Sequence, residues 1–395
     1  MLEEKSNGGS AMAKRSILKE FKPAKEGRIP RDISELTQEE KERLKFLGLD
    51  ESLQRVGEFV QVDAKPVLCR RKAEGLEVLP ITEALKKYDW LSDYYWKLLS
   101  PDKDEFTKAT AEDLDDGYFI RALPGVKISY PVQTCLYIRT EKVAQKVHNI
   151  VIVEEDAELN LITSCTVHPH VQSAFHIGVS EFYVKKRGKL TFSMLHAWGE
   201  QTMVRPRTGV LVEEGGLYVS TYVSLYPVKD IQTSPICRLV GEGARASFVS
   251  IIANHPGSKI DIGGEVWLEA ENTSTEIVSR NVVYGGENIA RGKIVAKSPK
   301  VKGHLECQGL MHSDNGIMRA IPELDSHLYD VELTHEAAVG KIARDEVEYL
   351  MARGLSEDEA TSLIVKGFLT VKVEGIPPSL QAQIDKVLET AKLGF

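Results

Sequence analysis

The chain has 395 residues, of which 42% are hydrophobic and 27% charged, with a formal net charge of −8. That length suits two or three domains or one long repetitive one, and the composition suffices to build a core, which excludes wholesale disorder. The mildly acidic balance argues against a general nucleic-acid binder, which needs clustered Lys and Arg, and no run of about 18 apolar residues offers a membrane-spanning helix.

The polar N-terminus MLEEKSNGGSAMAKRS has no apolar signal core, so the expected location is the cytosol. Residues 1–119 read as a helical, linker-rich region whose first 30 residues are expected to be mobile. A capping box of Thr37 and Glu40 opens LTQEEKERLKFLGL, and Gly48 can end that helix. A second helix is predicted through ITEALKKYDWLSDYYWKLL. Its aromatics Tyr88, Trp90, Tyr94, Tyr95 and Trp96 are expected to pack in a core, because aromatic clusters supply buried area.

From 120 to 335 the chain turns rich in Val, Ile, Thr and Tyr, a strand composition. The segments IVIVEEDAELNLITS, EFYVKKRGKLTFSML, GVLVEEGGLYVSTYV, CRLVGEGARASFVSI and EVWLEAENTSTEIVS share one layout. Each has an apolar run, a polar or Gly-bearing turn, and a second run. Anchored on Val153, Val184, Val212, Val240 and Leu268, the steps are 31, 28, 28 and 28, and a fainter copy puts Val295 another 27 on. A period of this size marks a repeat architecture. A propeller blade needs about 40 residues, and the leucine-rich pattern is absent. A parallel β-helix with one coil per repeat fits best. A two-sheet sandwich of hairpins is the structural alternative.

Residues 336–395 return to helix. RDEVEYLMARG carries Val347, Leu350 and Met351 at helical spacing and ends at Gly354. Ser356 and Glu359 form another capping box before EATSLIVKGFL. Pro377 and Pro378 break the chain, and SLQAQIDKVLETAK has an amphipathic stripe. These helices read equally as a cap on the β-helix end and as a partner-docking surface.

No nucleotide loop is present. GGENIARGKI has the wrong glycine spacing for a phosphate loop, with Ile294 where Ser or Thr would hold Mg²⁺, so ATP binding by this chain is not expected. GxSxG and HExxH are missing. His168-Pro169-His170 could be a metal pair but reads first as a loop, and Trp198 reads as a core aromatic. The five cysteines, Cys69, Cys135, Cys165, Cys237 and Cys307, are scattered without a CxxC. That excludes a zinc ribbon and a local ferredoxin-type motif, and structural disulfides are not expected in a reducing compartment.

The repeat phase adds one relation. Cys165 lies 12 residues after Val153, and Cys307 lies 12 after Val295. His196, Ser224, Ile252 and Arg280 hold the same phase between them. One column follows, with Cys165 and Cys307 five coils, about 24 Å, apart. His335 lies 28 residues beyond Cys307, so Cys307 and His335 are expected as neighbours on adjacent strands with Glu336 beside them. Thiolate, imidazole and carboxylate together suit a transition metal, iron or zinc. Spacing alone reads the two cysteines slightly more readily as small buried hydrophobes.

The stretch LTHEAAVGKIARDEVEYLMARGLSEDEATSLIVKGFL resembles the C-terminal signature of the SufB/SufD family of iron–sulfur cluster assembly proteins. HAWGEQTMVRPRTGVLVEEGG and LITSCTVHP resemble two earlier segments, so the resemblance covers about 120 to 375. It implies a mainly β fold, a right-handed parallel β-helix flanked by α-helical N- and C-terminal regions. It implies a scaffold rather than an enzyme, a SufC-like ABC ATPase as partner docked on the helices 345–353 and 357–369, and dimerisation through the β-helix end. Cys307 matches the sulfur acceptor and cluster ligand of the SufB branch, and Cys165 matches a cysteine proposed to receive sulfur first. His335 and Glu336 match the His-Glu pair of SufB, whereas SufD has His followed by Gly, which places this chain nearer SufB. The implied metal set is Cys307, His335 and Glu336, holding a transient iron–sulfur cluster. The resemblance leaves homodimer and heterodimer with a SufD-like subunit open, and flavin, associated with the family complex, has no motif here. Two other readings compete. One is a SufD-like structural partner; the other is a polysaccharide lyase using Asp314, Asp325, Asp330 or Arg319 in a groove.

Overall fold

From residue 132 onward, Val- and Ile-rich segments pair in parallel with segments 28 to 31 residues further along the chain. A computed structural model describes residues 17–26, 30–46 and 54–371. The Gly48 helix end, residues 1–16, the proline pair and the last amphipathic helix lie outside the described residues. Half of the chain is strand, wound as a parallel β-solenoid of about 8 turns. The parallel pairing excludes the sandwich of hairpins.

One wall of the solenoid holds nine parallel strands: β1 (Gly57–Val62), β2 (Val132–Ile138), β3 (Glu158–Val167), β4 (Lys189–Ala197), β5 (Leu217–Ser224), β6 (Arg245–Asn254), β7 (Ser274–Val283), β8 (Val301–Met311) and β9 (Val331–Lys341). An antiparallel strand, Lys65–Arg71, closes its N-terminal edge. The opposite wall runs through Tyr118–Ala122, Val143–Val153 and Ser173–Val184. It divides into half-strands in the next three coils and rejoins in Gly286–Ala296 and Gly316–Ser326. The divisions fall at Pro206, Pro235 and Gly263-Gly264. Proline has no N–H to give a ladder, and glycine weakens a strand interior.

Side chains alternate between the two faces of each strand. Leu159, Leu161, Cys165 and Val167 of β3 therefore point inward into one continuous core. The outer faces of the early strands are buried too, because the terminal regions cover them. Leu36 and Leu44, from the segment around helix α1 (Gln38–Phe46), pack on Val60, Val62, Cys135 and Tyr137. The capping box of α1 forms, with the Thr37 N–H donating to Glu40 at 2.8 Å. The predicted second helix is shorter than expected: α2 (Ile81–Lys87) stops at Tyr88, and a 3-10 turn follows over Asp89–Asp93. The aromatic cluster packs around Phe119 and Tyr183. Helix α3 (Glu105–Glu112) was not foreseen, nor were the strands between residues 57 and 80, so the N-terminal region contributes sheet as well as helix.

Helices α4 (Arg344–Met351) and α5 (Glu357–Leu369) form a hairpin turned by Gly354, whose φ is +100°. The Ser356–Glu359 capping box is present. Val365 and Leu369 of α5 are fully buried against Val219, Val249, Ile251 and Val278 on the outer face of β5–β7. The hairpin thus lies along the side of the solenoid and does not cap its end. At that end β9 and Gly316–Ser326 each pair on one side alone among the described residues, and Ile317, Tyr329 and Val339 are exposed. No helix among the described residues is long and apolar enough to cross a membrane.

Candidate functional site

Cys307 sits in the middle of β8, fully buried on the inner face with Val301 and Leu305. Its rung partners are Ser279 on β7 and Ala337 on β9. Burial, and then the Glu306 carboxylate, push its thiol up to about 11. The free thiol is therefore neutral at neutral pH, and a cation or proton acceptor must favour the thiolate.

His335 does not share a rung with Cys307. It pairs with Leu305, two residues before Cys307 and on the same inner face. It is exposed, and among the described residues no further coil covers β9. Glu336 pairs with Glu306 and therefore lies on the outer face, where Glu306 bonds Arg280 at 2.8 Å. Cys307 and His335 thus lie on adjacent strands and on one face, as expected, but two residues out of register, and Glu336, next to His335 in the chain, faces the other way. Strand alternation separates His335 from Glu336. Among the described residues no three His, Cys, Asp or Glu side chains gather around one metal position.

The column through Cys165 is also corrected. Cys165 is paired with His196, which is paired with Ser224, and Ser224 with Ile252, as expected. Ile252 is then paired with Asn281 rather than Arg280, and Asn281 with Gly309. Cys307 belongs to the neighbouring inner row, below Tyr222, Ser250 and Ser279. The cause is corner length. The corner between the two walls has four residues before β5 and five before β6 and β7. In addition the true wall partners are Val212 with Leu239, and Leu268 with Ala296, each one residue from the anchors Val240 and Val295.

Cys165 is fully buried, and burial raises its thiol well above the usual range. Polar side chains lie between the two cysteines. The Tyr222 hydroxyl is 2.7 Å from His196 Nδ1, Ser250 Oγ donates to Ser279 Oγ at 3.1 Å, and Asn281 Nδ2 donates to the same oxygen at 2.7 Å. Sequence reasoning missed this inner row of Ser and Tyr. Its signal was Ser250 and Ser279, one coil apart, with Asn281 next along the same inner face.

A second buried site was also missed. His148 and Glu181 are fully buried with Nε2 and Oε2 2.9 Å apart. Glu181 also accepts the backbone N–H groups of Trp96, Lys97 and Leu98 at 2.6, 2.7 and 2.5 Å. This pair ties the aromatic segment to the solenoid wall. The available signal was a glutamate inside the apolar run EFYV.

The remaining candidates are dispersed. His168 is half-buried and His170 exposed, in a turn where the His170 N–H donates to His168 Nδ1 at 3.1 Å. Trp198 is buried between His176 and His196, as a core aromatic. All five cysteines are free. Asp314 is bonded to Lys341 and Arg319 to Glu287, while Asp325 and Asp330 are exposed.

The fold and this site define a class: a β-solenoid with a helical hairpin on its flank and a buried cysteine next to its open end. Residues 136–368 match the family model described as SUF system FeS cluster assembly, SufBD core domain. The chain is 49% identical to an iron-sulfur cluster assembly SufBD family protein of Archaeoglobus fulgidus, over 89% of this chain and 95% of that one. It is 44% identical to a SufBD family homologue of Methanothermobacter thermautotrophicus, over 93% and 91%. It is 28% identical to the iron-sulfur cluster assembly protein SufB of Bacillus subtilis, over 92% and 80%. The chain belongs to the SufBD family of SUF-system iron–sulfur cluster assembly proteins.

Proposed function

We propose that this chain is a SufB-like scaffold on which a nascent iron–sulfur cluster is built and from which it is passed to apo-proteins. The observation that carries the reading is the family match running unbroken through the solenoid, the Cys307 strand, the open end and the flanking hairpin. In this reading Cys165 receives a persulfide sulfur and Cys307 accepts it. The transferred atom is at the sulfane level, so two electrons from an external reductant bring it to sulfide. Iron is held at Cys307 with His335 and Glu336.

One chain presents His335 and Glu336 on the two faces of the exposed edge strand β9, with Cys307 buried on β8 beside it. A second copy, or a SufD-like subunit, pairing at the open end would bring further ligands and bury Ile317 and Val339. Few thiolates with an imidazole and a carboxylate hold iron less firmly than four cysteines, which suits release. A SufC-like ABC ATPase would dock on α4 and α5, where Tyr349, Met351 and Leu363 are exposed. Its ATP cycle would then move the hairpin against the wall.

The test is anaerobic reconstitution with ferrous iron and sulfide. The wild-type chain is expected to gain thiolate-to-iron absorption and Cys307→Ala to lose it. A full cluster retained by Cys307→Ala would sink the site assignment.

A further inference from the structure

The inner face of β4 carries an imidazole next to a thiol. His196 shares a rung with Cys165 on β3 and with Ser224 on β5. Neighbouring strands lie about 4.8 Å apart, so the imidazole and the thiol stand side by side on one face. Cys165 is fully buried and His196 is 3% exposed. The Tyr222 hydroxyl lies 2.7 Å from His196 Nδ1. The other ring nitrogen, Nε2, is buried and has no hydrogen-bond partner among the described residues. An unpaired buried polar atom is costly, so one that persists calls for a function.

The Tyr222 bond decides what that nitrogen can do. When Nδ1–H donates to the Tyr222 oxygen, Nε2 carries the lone pair and can accept a proton. Trp198 and Tyr222 stand edge-on to the ring, at 5.2 and 4.8 Å between centroids. The titratable groups around it are Cys165 from β3, Tyr222 from β5 and, beyond Trp198, His176 from the opposite wall. Arg43 of α1 reaches the Ala197 carbonyl from the outer side. Burial raises the Cys165 thiol and lowers the His196 imidazole. Each shift reflects the cost of a single charge in the core. Moving the proton from thiol to imidazole instead makes two opposite charges side by side with no net charge. Their attraction in a low-dielectric interior offsets part of that cost, which exchange with bulk water would not.

We propose that His196, held by Tyr222, is the base that takes the Cys165 proton and so makes this buried thiol a nucleophile for sulfane sulfur. The S–H proton passes to Nε2, and the thiolate attacks the terminal sulfur of a hydropersulfide or polysulfide. A new S–S bond forms on Cys165 while the donor's S–S bond breaks. The electron pair of the broken bond leaves with the shortened donor, which takes the proton back from the imidazolium. Thiol and hydropersulfide thus become hydropersulfide and thiol, with no oxidant or reductant consumed. The proposal deepens the reading of Cys165 as the first sulfur acceptor and rests on it.

The test is sulfuration of the full iron-free chain by inorganic polysulfide, with persulfide at each cysteine resolved by mass spectrometry. Cys237 is the internal reference. It is fully buried in the same core, and its rung partners are Val210 and Val266, so no base shares its rung. At pH 7 Cys165 is expected to react at least tenfold faster in the wild-type chain than in His196→Gln, a modest effect for a positioned base. The gap should narrow as pH rises to 9, because hydroxide then ionises the thiol without help. Tyr222→Phe should fall between the two, and it carries the same comparison if His196→Gln does not fold. Cys237 should be unaffected throughout. A ratio of wild type to variant that is the same at pH 7 and 9 would reduce His196 to packing and overturn the proposal. So would equal rates in the two chains, or a wild-type Cys165 no faster than Cys237. Reconstitution with ferrous iron and free sulfide bypasses Cys165, so its failure would count against the scaffold reading and leave this step to the sulfuration rates.

Discussion

His335 shares a rung with Leu305, which sets its imidazole on the inner face one pleat from Cys307, while Glu336 shares a rung with Glu306 outside. The two adjacent residues of the His-Glu pair therefore serve opposite faces of one edge strand. Any set of ligands that uses both must reach around β9 or draw on a second subunit.

This separation gives the first prediction. His335→Ala should weaken iron retention about 10–100-fold, the usual scale for losing a group that supports a metal site. Glu336→Ala should cost less in the isolated chain. Iron stoichiometry after gel filtration of anaerobically loaded protein measures both. A larger loss from Glu336→Ala would place the metal on the outer face instead.

Cys165 is separated from Cys307 by five strand steps, about 24 Å. It is too far to ligate the same metal. Cys165→Ser should lower sulfur transfer from a persulfide donor, yet leave chemical reconstitution with free sulfide intact. Equal transfer of labelled sulfur in the two chains would remove Cys165 from the route.

Docking is best tested by charge rather than by deletion. Removing residues 345–369 would uncover the apolar outer face that Val365 and Leu369 bury, and so destabilise the wall itself. Tyr349 and Leu363 are 58% and 52% exposed. Tyr349→Asp with Leu363→Asp should weaken capture of the ATPase at least tenfold while shifting the melting temperature by no more than a few degrees. Unchanged capture would exclude this face.

Acid should destabilise the fold before any carboxylate titrates normally. Burial pushes the His176 imidazole down to about 3, and burial with nearby His176 holds His196 well below its usual range. Unfolded, both bind protons near 6.5. Below that pH the unfolded chain takes up protons that the fold refuses, so stability falls by about 1.4 kcal/mol per pH unit per histidine. Asp115, pushed up to about 6 by burial, acts the other way as pH falls from 6 towards 4. Burial also holds His148 and His312 low and Asp63 and Asp116 high, so four histidines stand against three aspartates and the balance is a net loss of stability of about 1.4 kcal/mol per unit. Urea denaturation between about pH 7.5 and 5 should show this slope, and His176→Gln should reduce it. A flat wild-type profile would contradict the assignment.

The repeat was readable because every coil must fill the same core, which forces apolar residues to recur at one period. The register was not. Leu239-Val240 and Val295-Ala296 each offer two apolar residues in succession, and a period cannot choose between them. Only the ladder chooses, since one residue of slip turns a whole strand inside out. The strands at 57–80 were hidden for a related reason: they complete the first coil by pairing with β2 and with Tyr118–Ala122, contacts that no local pattern announces. The capping boxes at Thr37 and Ser356 were readable because they are satisfied within four residues.

By itself the sequence determined the solenoid, its coil length, the helical hairpin and the residues that carry the family signature, since these rest on periodicity and on local hydrogen bonds. Tertiary structure alone decided which face each signature residue occupies. It put Cys307 and His335 inside and Glu336 outside, and it laid the hairpin along the wall rather than over the end. The physical reason is that a strand alternates faces with a period of two. A single extra corner residue leaves composition and period almost unchanged, yet it shifts the residues after it by one place along their strand.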